Sequence, residues 1–316
     1  MATWGGRPTA AAVLALGVGL CAATLAGCAQ PAVDEAQAVR AAVSRLGPVA
    51  EVEVSRPSGD RAPTVAVVLE PGTGPSRATA VVRGVARAAA AQGWRTYLLE
   101  LRDAADRGDL LIADETLRSG VRAVLGDQRR VADAVLGAVT WRVETSGTTV
   151  TVNAVGGLVH DAQEAARTAY GDRTTTWRFA AGPGTVVVDR KVGPMDVEVV
   201  RRAQRSLTSP SLPAPAERWT LSVRDDHVLL DLAVALPGGP VPPAELEPGR
   251  AAALVRPVAL AARAALLPAR DLLVSVRLRQ AGPATDVFAW WTSDHPPVPG
   301  RDPLARGWDR WFAALP

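Results

Sequence analysis

The side chains of this 316-residue chain that could do chemistry are few and scattered. There are three histidines, each beside an aspartate: His160 before Asp161, His227 after Asp225-Asp226, and His295 after Asp294. All three sit in the polar setting of a helix start or a turn. No two are four residues apart, the spacing that puts two imidazoles on one helical face to hold zinc. A metal centre would have to gather carboxylates from distant segments, so neither a metal nor a cofactor is expected. The acidic groupings Asp225-Asp226 with Asp231, and Asp103 with Asp106 and Asp109, lack the spacing of a calcium loop and read as solvated turns. Acyl transfer from a strand-to-helix elbow needs a serine flanked by glycines in the order G-x-S-x-G, and none occurs. Gly72-Thr73-Gly74 lies between a strand-like and a helix-like stretch, where backbone amides can cradle phosphate. Without a third glycine or a Gly-Lys-Ser/Thr continuation it reads as a plain connection. A glycosidase's carboxylate pair leaves no linear signature, so an envelope hydrolase using dispersed carboxylates stays open as an alternative.

The two cysteines say more. Arg7 is the only charged residue before Cys28, and it precedes an apolar stretch from Ala10 to Ala26, the order of an export signal. Leu25-Ala26-Gly27-Cys28 resembles the lipobox of bacterial lipoproteins. That resemblance implies that a peptidase recognising Leu25, Ala26 and Gly27 cuts before Cys28, whose thiol carries a diacylglycerol. The mature chain would then be held on the outer face of the cytoplasmic membrane, with membrane lipid as its first partner. Cys21 follows Leu20 where the motif needs a small residue, and is expected to leave with the signal. A membrane span fits less well, because the apolar run is short for one. Each buried methylene contributes about 0.8 kcal/mol and a second chain makes attachment lasting, so no other anchor is required. The mature chain would keep no thiol for a disulfide, and its stability would come from its core.

Composition allows such a core. The part from Cys28 onward is 289 residues (316 less 27), enough for one large domain or two to three small ones, and 48% of the chain is apolar. The 35 basic and 32 acidic residues leave a charge of +3, too near balance to suggest a nucleic-acid partner. Lys191 is the single lysine among many arginines, the codon bias of a GC-rich, actinobacterial-type genome.

The hydrophobic period switches between helical and strand-like spacing in a recurring order, which predicts an α+β fold. It is built from repeated α-β-β-α-β units, with mainly antiparallel or mixed sheets and helices on one face. The expected divisions are a signal at 1–27, the acylated cysteine and tether at 28–34, units at 35–110, 111–193 and 194–300, and a tail helix at 301–316. In the first unit a helix Glu35 to Leu46 precedes two strands around Val49 to Val54 and Thr64 to Leu69, joined by the Pro57-Ser58-Gly59-Asp60 turn. A helix Ser76 to Gln92 and a strand Trp94 to Leu101 complete it. The second unit has a helix ending near Ala138, strands Trp141 to Thr145 and Thr148 to Val155, a helix Val159 to Tyr170 and a strand Thr174 to Ala180. The third has a helix Asp196 to Leu207, a proline-rich loop, strands Trp219 to Arg224 and Val228 to Leu236, and a helix Gly249 to Leu267. Pro257 must either start or kink that helix. Two strands, Asp271 to Gln280 and Asp286 to Trp291, close the unit.

Trp94, Trp141, Trp177 and Trp219 each stand near an expected strand start, a recurrence that hints at duplication. Rings placed there can cap the edge of an α/β core, so the tryptophans read mainly as core markers rather than as a stacking platform for sugar or base. Ser146-Gly147-Thr148-Thr149-Val150-Thr151-Val152, followed by Gly156 and a helix, is similar to the glycine-turn, strand, glycine, helix order of the BON domain. The likeness covers about a fifth of the chain and implies a non-catalytic binding role at the envelope.

In the tail, Leu304, Trp308, Trp311, Phe312 and Leu315 fall on one helical face, suited either to docking on the body or to lying in the bilayer interface. The expected function is a membrane-anchored, non-catalytic binding or scaffolding lipoprotein for an envelope protein or cell-wall polymer. The second reading is a carrier of lipid or another apolar ligand, with the apolar stretch Ala251 to Leu267 lining a hollow.

Overall fold

The computed structural model describes residues 31–56, 62–103, 108–113, 120–242, 245–282, 286–294 and 301–316. Leu25, Ala26, Gly27 and Cys28, the 57–60 turn, Asp106 and His295 lie outside the described residues. The elements run α1 (Pro31–Val43), β1 (Val49–Val54), β2 (Thr64–Leu69), α2 (Pro75–Ala91), β3 (Leu98–Asp103), β4 (Gly108–Ala113), α3 (Val121–Ala134), β5 (Ala138–Glu144), β6 (Gly147–Asn153) and α4 (Leu158–Thr168). They continue with β7 (Thr175–Ala181), β8 (Gly184–Val188), α5 (Pro194–Leu207), β9 (Ala216–Val223), β10 (His227–Val234), α6 (Pro248–Ala265), β11 (Leu273–Gln280), β12 (Val287–Thr292) and α7 (Pro303–Ala313).

Local chemistry sets most of these boundaries. α1, α2, α5, α6 and α7 all open on proline, whose missing N–H has no partner at a helix start and whose fixed φ suits the first turn. Asp302 caps α7 by accepting from the Ala305 N–H (2.9 Å). Asp196, at the third position of α5, reaches back to the Gly193 N–H (2.7 Å). Pro257 sits inside α6, which starts nine residues earlier at Pro248, so the helix does not begin there.

The twelve strands among the described residues form one mixed sheet in the order of the chain, β1 to β12. β1–β2, β3–β4, β5–β6, β7–β8, β9–β10 and β11–β12 pair antiparallel. The pairs between them, from β2–β3 to β10–β11, are parallel and enclose a helix. Consecutive helices pack side by side from α1 to α7. A single row of buried side chains crosses the sheet beneath them: Val52, Val67, Leu101, Leu110, Trp141, Val150, Trp177, Val188, Val223, Val228 and Val274. The helices therefore cover one face, and the core is a continuous slab between the layers.

This topology breaks a common rule. Strand direction reverses between one parallel crossover and the next while the sheet grows one way. With the helices on one face, successive crossovers must have opposite hand, whereas crossovers are ordinarily right-handed.

Two strands were not expected, β4 and β8. β4 opens on Gly108-Asp109 after a charged run, the composition of a turn, and β8 is a five-residue strand following Gly182-Pro183. With them, the first two expected α-β-β-α-β stretches each gain a final strand, matching the second closing strand expected in the third. The expected boundary at 110/111 falls inside β4. The β4–β5 and β8–β9 pairings join what were expected as separate sheets. The strand expected from Trp94 begins at Leu98 instead, and Trp94 lies in the turn after α2, its Nε1 donating to Glu35 (3.4 Å).

Trp141, Trp177 and Trp219 are core residues, as expected of them, although they sit inside strands rather than at strand ends. They lie within β5, β7 and β9 and are fully enclosed under the helices. Their indole N–H groups have no partner among the described residues. Gly184 makes room for one of them, because a Cβ there would run into the Trp219 ring and stand 2.7 Å from Leu158 Cδ1. No described helix is long and apolar enough to cross a membrane.

Candidate interaction surface on the open face of the sheet

Because strands alternate their side chains, the row opposite the core points away from the helices. Along β2, β8 and β10 every second residue is buried and its neighbours are half-exposed. The open face spans twelve strands, roughly 50 Å at about 4.8 Å per strand.

Threonines and paired charges cover this face. Thr140 stands opposite Thr151, Thr149 beside Thr176, and Thr185 beside Thr220. Arg142 donates to Glu144 (2.5 Å), and Asp189 accepts from the Thr176 hydroxyl (3.0 Å) and from Arg224 (3.2 Å). Toward β12, Arg279 donates to both oxygens of Asp231, Nε at 2.8 Å to one and Nη2 at 3.0 Å to the other. The Arg277 guanidinium lies 4.0 Å from the centre of the Trp290 ring, a cation–π stack. Burial holds the Arg277 pKa below its ordinary value, opposed by Asp231. Most of the charges here are already matched to neighbours, which suits a surface that offers hydrogen bonds and flat aromatic area rather than reactive groups.

One pair on this face could suggest acyl transfer. His227 Nε2 is 3.3 Å from Ser275 Oγ, and burial lowers the His227 pKa. Ser275 is only 3% exposed, so its hydroxyl is out of reach of a substrate arriving from solvent. The pair bridges β10 and β11.

The other residues singled out from the sequence are spread over the molecule. His160 is exposed, 3.8 Å from Asp161. Asp161 itself is buried and accepts from the Leu136 N–H (2.9 Å) and the Gly137 N–H (3.2 Å), tying the α3–β5 connection to the start of α4. Asp225 lies 3.6 Å from Arg173. In the Gly72-Thr73-Gly74 connection the Thr73 hydroxyl donates to the Glu70 carbonyl (2.7 Å), and Gly74 caps α2. Three carboxylates have lowered pKa values, each through hydrogen bonds to the charged form: Asp172 from Thr174, Glu198 from Arg202 and Arg201, and Asp302 from the Ala305 N–H. Among the described residues no group of three or more His, Cys, Asp or Glu could hold a metal ion.

The tail residues come together. Trp308, Phe312 and Leu315 are buried against the body, with Leu304 and Trp311 packed partly over the same core. Trp308 meets Phe288 edge-on (4.9 Å), and its Nε1 donates to the Leu246 carbonyl (2.6 Å). The face expected to choose between body and bilayer is occupied by the body.

Sequence reasoning missed the lock beside it. Arg301 donates to the carbonyls of Val287 (2.9 Å) and Phe288 (3.0 Å) and to both oxygens of Asp309. Asp309 also accepts from the Trp290 N–H (2.8 Å). Arg301 and Asp309, eight residues apart, fit the i, i+4 logic of a helix poorly, so nothing local advertised the pair. A cleft of about 370 Å³ opens next to this lock, between Leu246, Gln280, Phe288, Asp302 and Trp308. In the stretch 251–267, Ala251, Val255, Val258, Ala259 and Ala262 pack into the core.

The chain matches no protein-family model, and no curated protein or solved structure is significantly similar to it.

Proposed function

We propose that the protein is a non-catalytic lipoprotein, acylated at Cys28 on the outer face of the cytoplasmic membrane, that binds or scaffolds an envelope protein or cell-wall polymer on its open sheet. The observation that carries this reading is the open face itself: twelve strands whose outward threonines and paired charges form a broad hydrogen-bonding surface. The lipobox-like Leu25-Ala26-Gly27-Cys28 supports the anchor. The recurring helix–strand–strand order supports a body made by duplication of that unit, a refinement of the α-β-β-α-β repeat. β5, β6, α4 and β7 follow the order that prompted the BON likeness, which favours binding over catalysis.

Two measurements on the protein isolated from its own membranes test the proposal. Intact-mass analysis should find an acylated N-terminus at Cys28; an unmodified chain or a different first residue overturns the anchor. Cross-linking from Thr149, Arg178 and Thr220, each replaced by a photoreactive residue, should capture a partner that the same probes on α3 and α4 do not. Equal capture from both faces overturns the open-face reading.

A further inference from the structure

The near-neutral total charge hides a segregation between the two layers. The seven α-helices among the described residues contain sixteen arginines and nine acidic residues, a balance of +7. The twelve strands contain six arginines and eight acidic residues, a balance of −2. Even those nine helical acids overstate what faces outward. Asp161 and Asp196 are buried in hydrogen bonds, and Asp309 is held by Arg301. Asp127, Asp133, Glu164 and Glu198 are each paired with an arginine of their own helix.

The unmatched charge concentrates on two helices. α2 carries Arg77, Arg83 and Arg87, and α6 carries Arg250, Arg256 and Arg263; neither helix has an acidic residue. Arg83, Arg87, Arg250 and Arg256 are exposed and have no ion pair among the described residues, as is also true of Arg122 on α3 and Arg306 on α7. Between the arginines the outer side of α6 is apolar, with Leu254 and Leu260 half-buried and Leu267, just past its end, 56% exposed. Guanidinium groups set among apolar side chains are the chemistry of a surface that meets anionic headgroups.

We propose that the helix layer is the face that lies against the membrane, and that its partner is an anionic phospholipid surface. This rests on the lipoprotein reading for its tether. α1 begins at Pro31 and belongs to the same layer, so only two residues separate it from an anchor at Cys28, at most about 10 Å of chain. That distance is close to the Debye length of about 8 Å at physiological salt, so a charged layer held there feels the membrane's potential. The open sheet, on the opposite side, then faces the envelope.

The test uses the mature chain from residue 28 with Cys28→Ser, so that binding is read without an acyl chain and its failure is separate from failure of acylation. The chain is sedimented with vesicles of phosphatidylcholine alone or with about one third phosphatidylglycerol. Binding should appear only with the anionic vesicles and fall steeply in 0.5 M salt. The triple variant R83E/R87E/R256E should bind at least about tenfold more weakly while keeping the parent's unfolding midpoint. A matched variant on the open face, R142E/R178E/R218E, should bind as the parent does. Should the helix-layer variant unfold, R83Q/R87Q/R256Q takes its place with the same expected direction. Equal binding to neutral vesicles, or an equal loss from the open-face variant, overturns the proposal.

Discussion

β1 and β12 are the two outermost strands of the same sheet and both are six residues long, yet their free edges are handled in opposite ways. At β12 the outward backbone groups are taken by side chains. Arg301 fills the carbonyls of Val287 and Phe288, Asp309 accepts the Trp290 N–H, and α7 drops Trp308 and Phe312 onto the core beside them. At β1 the Ser55 N–H donates to the Thr64 carbonyl (2.9 Å), so by the alternation of an antiparallel ladder residues 51, 53 and 55 face β2. The backbone groups of Ala50, Val52 and Val54 therefore point outward. What guards them is a bulge between Val49 and Glu51 and the two exposed carboxylates Glu51 and Glu53. An edge can be closed by supplying hydrogen bonds or by making a neighbouring strand unwelcome, and this sheet uses one device at each end.

Removing residues 301 to 316 should have the largest effect. It uncovers Phe288 and Trp291 and strips the β12 edge, so the truncated chain should lose its sharp thermal transition and its near-ultraviolet tryptophan signal; an unchanged melting curve would show that α7 is an accessory. Asp309→Ala comes next. It leaves the Arg301 guanidinium, 12% exposed, without its carboxylate and the Trp290 N–H without its acceptor, at a cost of roughly 2–4 kcal/mol in urea unfolding. Replacing both partners by apolar residues should recover part of that loss, because neither group is then stranded.

Acid should loosen the same edge first. Hydrogen bonding to the charged form lowers the Asp302 pKa in the folded state. Its contribution is therefore complete above the unfolded value of about 3.9 and disappears as pH falls through the lower folded value. Amide exchange in α7 should accelerate in that window before exchange in α4 does, and simultaneous acceleration would refute the cap's role.

The smallest effect on stability belongs to β1. Glu51→Val with Glu53→Val should shift unfolding by no more than about 0.5 kcal/mol, since both side chains are exposed. It should nevertheless make the protein self-associate with concentration in sedimentation velocity. A variant that stays monomeric would mean that the bulge alone protects the edge.

Much of this architecture could be read along the chain, where its causes are local. Helical spacing of apolar residues and alternating valines marked the helices and ten of the strands, while the prolines that open five of the helices played no part in that reading. β4 escaped because Gly108-Asp109 looks like a turn, and the burial of Leu110 and Ile112 that makes it a strand depends on Trp141 and Leu101 alongside. The tail's apolar face was visible from spacing alone. The Arg301–Asp309 lock was not, because its meaning lies in backbone groups of another element.

The sequence by itself determined the helical and extended stretches, the apolar face of the tail and the lipobox-like signal, all properties of neighbouring residues. Tertiary structure decided that three expected units share one sheet, that the core tryptophans lie mid-strand beneath the helices, that each edge has its own guard, and that charge divides between layers. Those outcomes follow from strand register and helix packing, which bring together residues tens of positions apart, and no periodicity within a segment encodes which distant segment will lie beside it.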